Sequence, residues 1–191
     1  MKLKDIMKPS TPPLEAKTYL AVVVGVYEVG QHYSEKYHTT GHKLIFQFDV
    51  PSAKDPDGNP RQLSKWLTVG RRKGCAFLEF LGGLDNKSYT AEDAGEIDPA
   101  DYLGRACQVR VTINKETQKN SIEGIMSLPD GIPAPQTNTP LQWYSVEEDG
   151  FTGEKWDKLP DWVRETCMKS EQYQATAPDQ PLDMPREDCP I

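Results

Sequence analysis

Residues 17–30 read KTYLAVVVGVYEVG. The stretch is rich in β-branched and aromatic residues, the side chains that suit a pleated, packed surface. Strict alternation puts Tyr19, Ala21, Val23, Gly25, Tyr27 and Val29 on one face and Leu20, Val22, Val24 and Val26 on the other. A strand apolar on both sides is central to its sheet. Gly25, with no side chain to pack, is the expected bend or bulge.

Working outward, residues 42–51 (HKLIFQFDVP) alternate cleanly, with Leu44, Phe46, Phe48 and Val50 opposite Ile45, Gln47 and Asp49. That pattern reads as a half-buried antiparallel strand. Residues 52–60 (SAKDPDGNP) are dense in turn formers, and 61–70 (RQLSKWLTVG) return as a third strand with imperfect alternation. In 71–84, Cys75, Phe77, Leu78 and Leu81 recur at near-helical spacing, and Gly82-Gly83 reads as the stop. A short helix starting at Thr90, capped with Asp93, is expected in the mixed segment 88–105. Residues 105–114 and 120–128 are two further strands joined by the polar turn KETQK, 115–119.

Three strands, a helix and two strands are the order of the OB-fold, a small five-stranded Greek-key barrel. Closure hides the edges that this much two-sided β sequence would otherwise expose. A β-sandwich needs about seven strands, more than the pattern offers. The expected fold is therefore all-β with small helical insertions, a five-stranded OB-fold barrel over residues 17–128. A flexible lead of residues 1–16 precedes it. Residues 129–170 form an extended linker and a short helix begun by Pro160, and 171–191 form a disordered acidic tail.

The formal charge of −7 is unevenly distributed. Residues 1–127 carry 17 basic against 16 acidic side chains, and residues 128–191 carry 5 against 13. The acidity therefore belongs to the last third, so the barrel itself is open to an anionic partner. No apolar run reaches the length of a membrane span and no apolar core of a signal peptide opens the chain, so a cytoplasmic location is expected. The four cysteines lack the close spacing of zinc ligands and read as reduced thiols.

Several segments also carry a resemblance. TYLAVVVGVYEVG, LSKWLTVG, YLGRACQVRVTIN, SLPDG and TPLQWYSVEE…KLPDWVRETCMKSEQY resemble bacteriophage and prophage single-stranded-DNA-binding proteins of replication and recombination modules. The resemblance spans roughly residues 17–173, in segment order more than in any one motif. It implies an OB-fold, sequence-tolerant single-stranded-DNA binding in the host cytoplasm during phage infection, and no catalytic residues. Implied partners are replication or recombination proteins, reached through the C-terminal segment. PLDMPREDCPI echoes that family's acidic tail with its hydrophobic tip, with Ile191 where a Phe is usual. A homo-oligomer or a cooperative filament on DNA is expected.

Single strands are gripped by cations along the phosphates and by aromatic faces under the bases. QHYSEKYHTTGHK, residues 31–43, offers both in the expected loop between strands one and two: Tyr33, Lys36, Tyr37, His38 and Lys43. Lys65 and Trp66 lie on strand three, where Trp66 is either core or stacking platform. Arg71, Arg72 and Lys73 enter the helix, whose N-terminus favours anions. Arg110 points outward from strand four, and Lys115 and Lys119 flank the last turn. His38-x3-His42 has helical ligand spacing, but Thr39-Thr40-Gly41 opposes a helix, so no metal and no cofactor is expected. No nucleophile setting or phosphate loop argues for catalysis. The alternative function is a protein-interaction module that docks a host or phage enzyme through the Trp-rich segment 141–170.

Overall fold

The computed structural model of the chain describes residues 11–35, 37–70, 72 and 74–176. Its strands are β1 (Thr18–Ser34), β2 (Thr39–Lys54), β3 (Pro60–Thr68), β4 (Ala106–Ile113), β5 (Asn120–Ser127) and β6 (Gln142–Ser145). Helix α1 (Ala76–Asp85) and two short 3-10 turns (Asp93–Gly95 and Pro99–Tyr102) lie between β3 and β4. Four short helices follow β6: α2 (Val146–Asp149), α3 (Glu154–Asp157), α4 (Asp161–Cys167) and α5 (Glu171–Thr176). Over the described residues the fold is mixed but β-rich, 38% strand and 23% helix. Among the described residues no helix is long and apolar enough to cross a membrane.

The sheet runs β3-β2-β1-β4-β5 with antiparallel neighbours. β1 is central as expected, and its length lets it serve three partners. Residues 18–22 pair with β4, 25–28 pair in parallel with β6, and β2 follows the opposite edge from Val22 to Ser34. The register slips between Val23 and Gly25, the anticipated bulge. A bulge inserts one residue and reverses the facing of everything after it. Tyr19, Ala21, Val23 and Val26 therefore all enter the main core, while Tyr27 and Val29 turn to the outer face. Strict alternation had put Val23 with Tyr27, and Val26 opposite. Gly25 has a second reason to be glycine. The Tyr27 ring lies across it, and an added Cβ would stand 2.5 Å from the Tyr27 hydroxyl oxygen.

The main core fills the inner face with Phe46, Phe48, Leu81, Val109 and Val111, and Phe80 stacks 4.8 Å from Phe46. The expected barrel does not close, and the sheet has a sixth strand. β3 and β5 approach one another without a backbone ladder. Lys65 takes a core-facing position of β3 at that seam, and its Nζ donates to the Ile122 carbonyl at 2.9 Å. Helix α1 leans across the same gap. Gly83 sits so close to β5 that a Cβ would stand 2.5 Å from the Ile125 carbonyl oxygen. Gly82 and Gly83 thus lie inside α1 instead of ending it. The helix stops at Asn86, in the left-handed region at φ 51°, and its last turn is closed by Lys87 N–H to Gly82 O. The Thr90–Asp93 capping pair forms, but it opens a 3-10 turn.

The described parts of the expected lead and tail, residues 11–16 and 171–176, are more ordered than expected. Leu14 is buried, and its N–H and carbonyl bond the Asn120 amide at 2.7 and 2.9 Å. Residues 171–176 form α5 instead of disordered tail. Residues 1–10 and 177–191 lie outside the described residues.

Candidate nucleic-acid interface

Residues 31–43 are a continuous β-ribbon and not a loop. Gln31 pairs with His42, His32 with Gly41, Tyr33 with Thr40 and Ser34 with Thr39, so among the described residues of this stretch Glu35, Tyr37 and His38 lie between the two strands. His38 closes the turn at φ 49°. Both faces of this ribbon meet solvent, so it carries none of the apolar alternation that marks a strand. Its base is pinned by α5: Gln31 N–H donates to Gln172 Oε1 and Thr40 Oγ1 to Glu171 Oε1, both at 2.8 Å. Gly30, at φ 86°, lets Ser170 pack against the backbone, where a Cβ would meet the Ser170 Cβ at 2.7 Å.

The three histidines go to separate partners. His32 Nε2 lies 2.9 Å from the Val29 carbonyl, and His38 Nδ1 lies 3.1 Å from the Tyr33 hydroxyl. His42 sits between the Gln31 amide at 2.8 Å and the Glu28 carboxylate at 3.4 Å, with Glu147 at 3.6 Å. Among the described residues no group of three His, Cys, Asp or Glu side chains could hold a metal. Tyr33 and Tyr37 are 57% and 66% exposed, which leaves large parts of both rings open to solvent.

Below the ribbon, Lys43 lies across from Thr68, to whose Oγ1 its Nζ donates, and Trp66 lies across from Ile45. Lys43, Ile45 and Trp66 therefore share the outer face. Trp66 is 50% exposed and outside the core. Its ring lies 6.3 Å from that of Trp162 on α4, tilted by 43°, and Trp162 meets Tyr27 edge-on at 6.1 Å. Lys65, one residue from Trp66, points the other way into the β3–β5 seam and does not join this surface.

The rest of the outer face is covered. The Tyr27 hydroxyl lies 2.8 Å from Gln47 Oε1 and 3.0 Å from Gln142 Oε1. Gln47 Nε2 donates to Gln62 Oε1 at 2.8 Å, Gln62 Nε2 donates to Asp49 Oδ1 at 3.0 Å, and Thr137 donates to Asp49 Oδ2. Gln47 and Asp49 are thereby buried with partners, as buried polar groups require. Beside them Tyr27, Val29 and Ile45 pack against Tyr144, Trp156, Leu159, Val163 and Cys167.

The remaining candidates lie elsewhere. Arg110 is exposed and ion-paired with Glu123 at 3.1 Å, and Lys115 and Lys119 sit in the exposed turn between β4 and β5. Arg110 pairs with Thr18 at the start of β1, whereas the ribbon tip lies past its end. That is roughly 50 Å of strand path, at about 3.3 Å per residue. Arg72 is exposed before α1, while Lys36, Arg71 and Lys73 lie outside the described residues. One surface thus joins Lys43 and Trp66, whereas Tyr33, paired with Thr40, takes the His42 and Leu44 face of the ladder, and Tyr37 and His38 lie in the turn beyond. The β4–β5 cations form a separate group.

Comparison with protein-family models, curated proteins and solved structures finds no match.

An open cavity of about 510 Å³ at the sheet end bounds the surface on its other side. Leu44, Phe77 and Trp143 line it together with Glu28, His42, Asp98 and Glu148, and among the described residues no Lys or Arg does. The sequence reading missed Trp162 as part of the surface. Its signal is the recurrence of Leu159, Trp162, Val163, Thr166 and Cys167 at helical spacing, which does not say which strand the helix packs on.

Proposed function

We propose that the protein is a non-catalytic, sequence-tolerant binder of single-stranded DNA, built on an OB-fold opened at its β3–β5 seam. The strand order and the helix between the third and fourth strands support that assignment. The observation that carries the function is Trp66, half open to solvent beside Lys43 on the outer face of the sheet. An exposed indole next to an ammonium supplies the two devices a single strand needs, a stacking face and a phosphate partner. Participation in phage replication or recombination, in the host cytoplasm and as a cooperative or oligomeric coat, belongs to the same proposal. The rival reading, docking of an enzyme through the Trp-rich segment, draws no support from the anchors Tyr144 and Trp156, which are buried against β1. Recruitment of partners would fall instead to residues 177–191.

The test is salt-dependent binding of the full chain to labelled dT, rU and duplex oligomers. Preference for dT over duplex is expected, with log K falling by about 0.7 per cation engaged for each unit of log salt. Alanine at Tyr33, Tyr37 and Trp66 together should abolish most of the binding. Folded wild-type protein that ignores dT at about 50 mM salt would remove the proposal.

A further inference from the structure

We propose that Trp162 is itself a nucleic-acid contact: Trp162 and Trp66 form one stacking ledge for successive bases, and Lys43 takes the adjoining phosphate. This rests on the single-strand-binding reading and assigns the C-terminal segment to the DNA surface. Three observations carry it.

The first is where the cover stops. Residues 142–167 bury Tyr27, Val29 and Ile45 to 2% or less, yet leave Trp66, directly across from Ile45, 50% exposed. Covering that indole too would bury further apolar surface, so packing alone does not account for its exposure. The second is preorganisation. Trp162 is held edge-on against buried Tyr27, and Thr166 Oγ1 donates to the Trp162 carbonyl at 2.8 Å within α4. A ring already fixed loses little freedom when a base settles on it. The third is geometry and charge. At 6.3 Å and 43° the two rings touch in a shallow bend, too close to admit a base between them. They present instead a bent aromatic ledge wider than one indole. Lys43 flanks it on the same face, one pair further along β2. A planar apolar ring joined to an anion matches that combination, and a nucleotide in a single strand has both parts.

The experiment measures anisotropy of fluorescein-labelled dT with the full chain and its variants Trp66→Ala, Trp162→Ala, Trp162→Leu and the double variant Trp66→Ala/Trp162→Leu. Leucine keeps an apolar contact with Tyr27 but has no π face, so it serves if alanine disturbs the fold. Each single variant that remains folded should bind about 5- to 100-fold more weakly. The double variant should lose less than the product of the two single losses, since neighbours sharing one ledge are not additive. If Trp66→Ala weakens binding while folded Trp162→Leu binds as wild type, the ledge is overturned and the parent reading stands. If wild type binds no dT, both fall. If the Trp66 and Trp162 losses multiply in full, the rings act as separate contacts and the shared ledge is overturned.

Discussion

β1 and β2 are buried on both faces, but by partners of different origin. The inner face is filled by side chains of the same five-stranded unit, Phe46 and Phe48 against Phe80 and Leu81 of α1. The outer face is filled from far along the chain, where Gln142 reaches Tyr27 across 115 residues and Gln172 reaches Gln31 across 141. The inner layer makes the fold. The outer layer decides which part of the fold remains open, and it leaves Trp66 and the ribbon. The exposed surface of this sheet is thus set less by the strands than by the edge of what covers them.

The sharpest way to break that comparison is to hollow each layer in turn. Phe46→Ala in the inner core and Tyr144→Ala in the outer cluster should each cost about 3–5 kcal/mol, the range for deleting a fully buried aromatic. Both rings are 0% exposed, and Tyr144 also donates from its hydroxyl to the Gly150 carbonyl. Urea denaturation measures both. A loss below about 1 kcal/mol for Tyr144→Ala would reduce the outer layer to a loosely laid flap. Gly25→Ala comes next, at about 1–3 kcal/mol for overpacking. The Tyr27 ring that a methyl would strike is 2% exposed and clamped by Trp162. Thermal unfolding unchanged by this substitution would mean that the ring is free to move.

The two layers also differed in how far they could be read from sequence. The alternation of residues 42–51 told truly which side of β2 faces the inner core, because one face is apolar throughout. The strand is buried on both faces instead of half-buried, however, since the outer cover comes from far along the chain. β1 misled because valines occupy both of its faces, so no polar residue marks where the bulge reverses the phase. The outer cover had little periodicity to find. Tyr144, Trp156, Leu159 and Val163 come from separate short elements, each giving one or two anchors. The ribbon was taken for a loop because both its faces are wet. Trp66 could not be placed because Lys65, on the core side of β3, broke the alternation needed to face it. The candidates Lys43 and Trp66 were legible as residue types, and their shared face was not.

A smaller effect distinguishes the rim of the inner layer. Burial works to raise the Asp85 carboxyl, but the Tyr102 and Tyr89 hydroxyls and the Arg105 guanidinium together hold it below its ordinary value. A carboxyl depressed in the folded state stabilises above its unfolded value, near 3.8, and that stabilisation fades as pH falls through the folded value. Asp85→Asn should therefore lower stability at neutral pH and flatten the acid limb below about pH 4. An acid limb as steep as that of wild type would show that the network does not hold α1 to the 3-10 segment.

The least perturbing measurement keeps Cys107 and Cys167 in place and asks whether the layers open together. Cys107 lies fully buried in the inner core and Cys167 fully buried in the outer cluster, and burial pushes both thiols up to about 12. In a Cys75→Ser/Cys189→Ser protein each therefore reacts with a thiol reagent only when its own layer opens, and mass spectrometry can follow the two sites separately. The outer cluster rests on helices of four to seven residues and one four-residue strand. The inner core is tied by ladders along β1, β2 and β4. Small units with few ladder bonds open below the global free energy, so Cys167 should react first. Each tenfold excess in rate corresponds to an opening easier by about 1.4 kcal/mol. Such a gap would let the cover, and Trp162 with it, lift while the sheet stays folded. Equal rates would weld the two layers into one cooperative unit, and the Trp66 surface would then be a fixed margin of the fold.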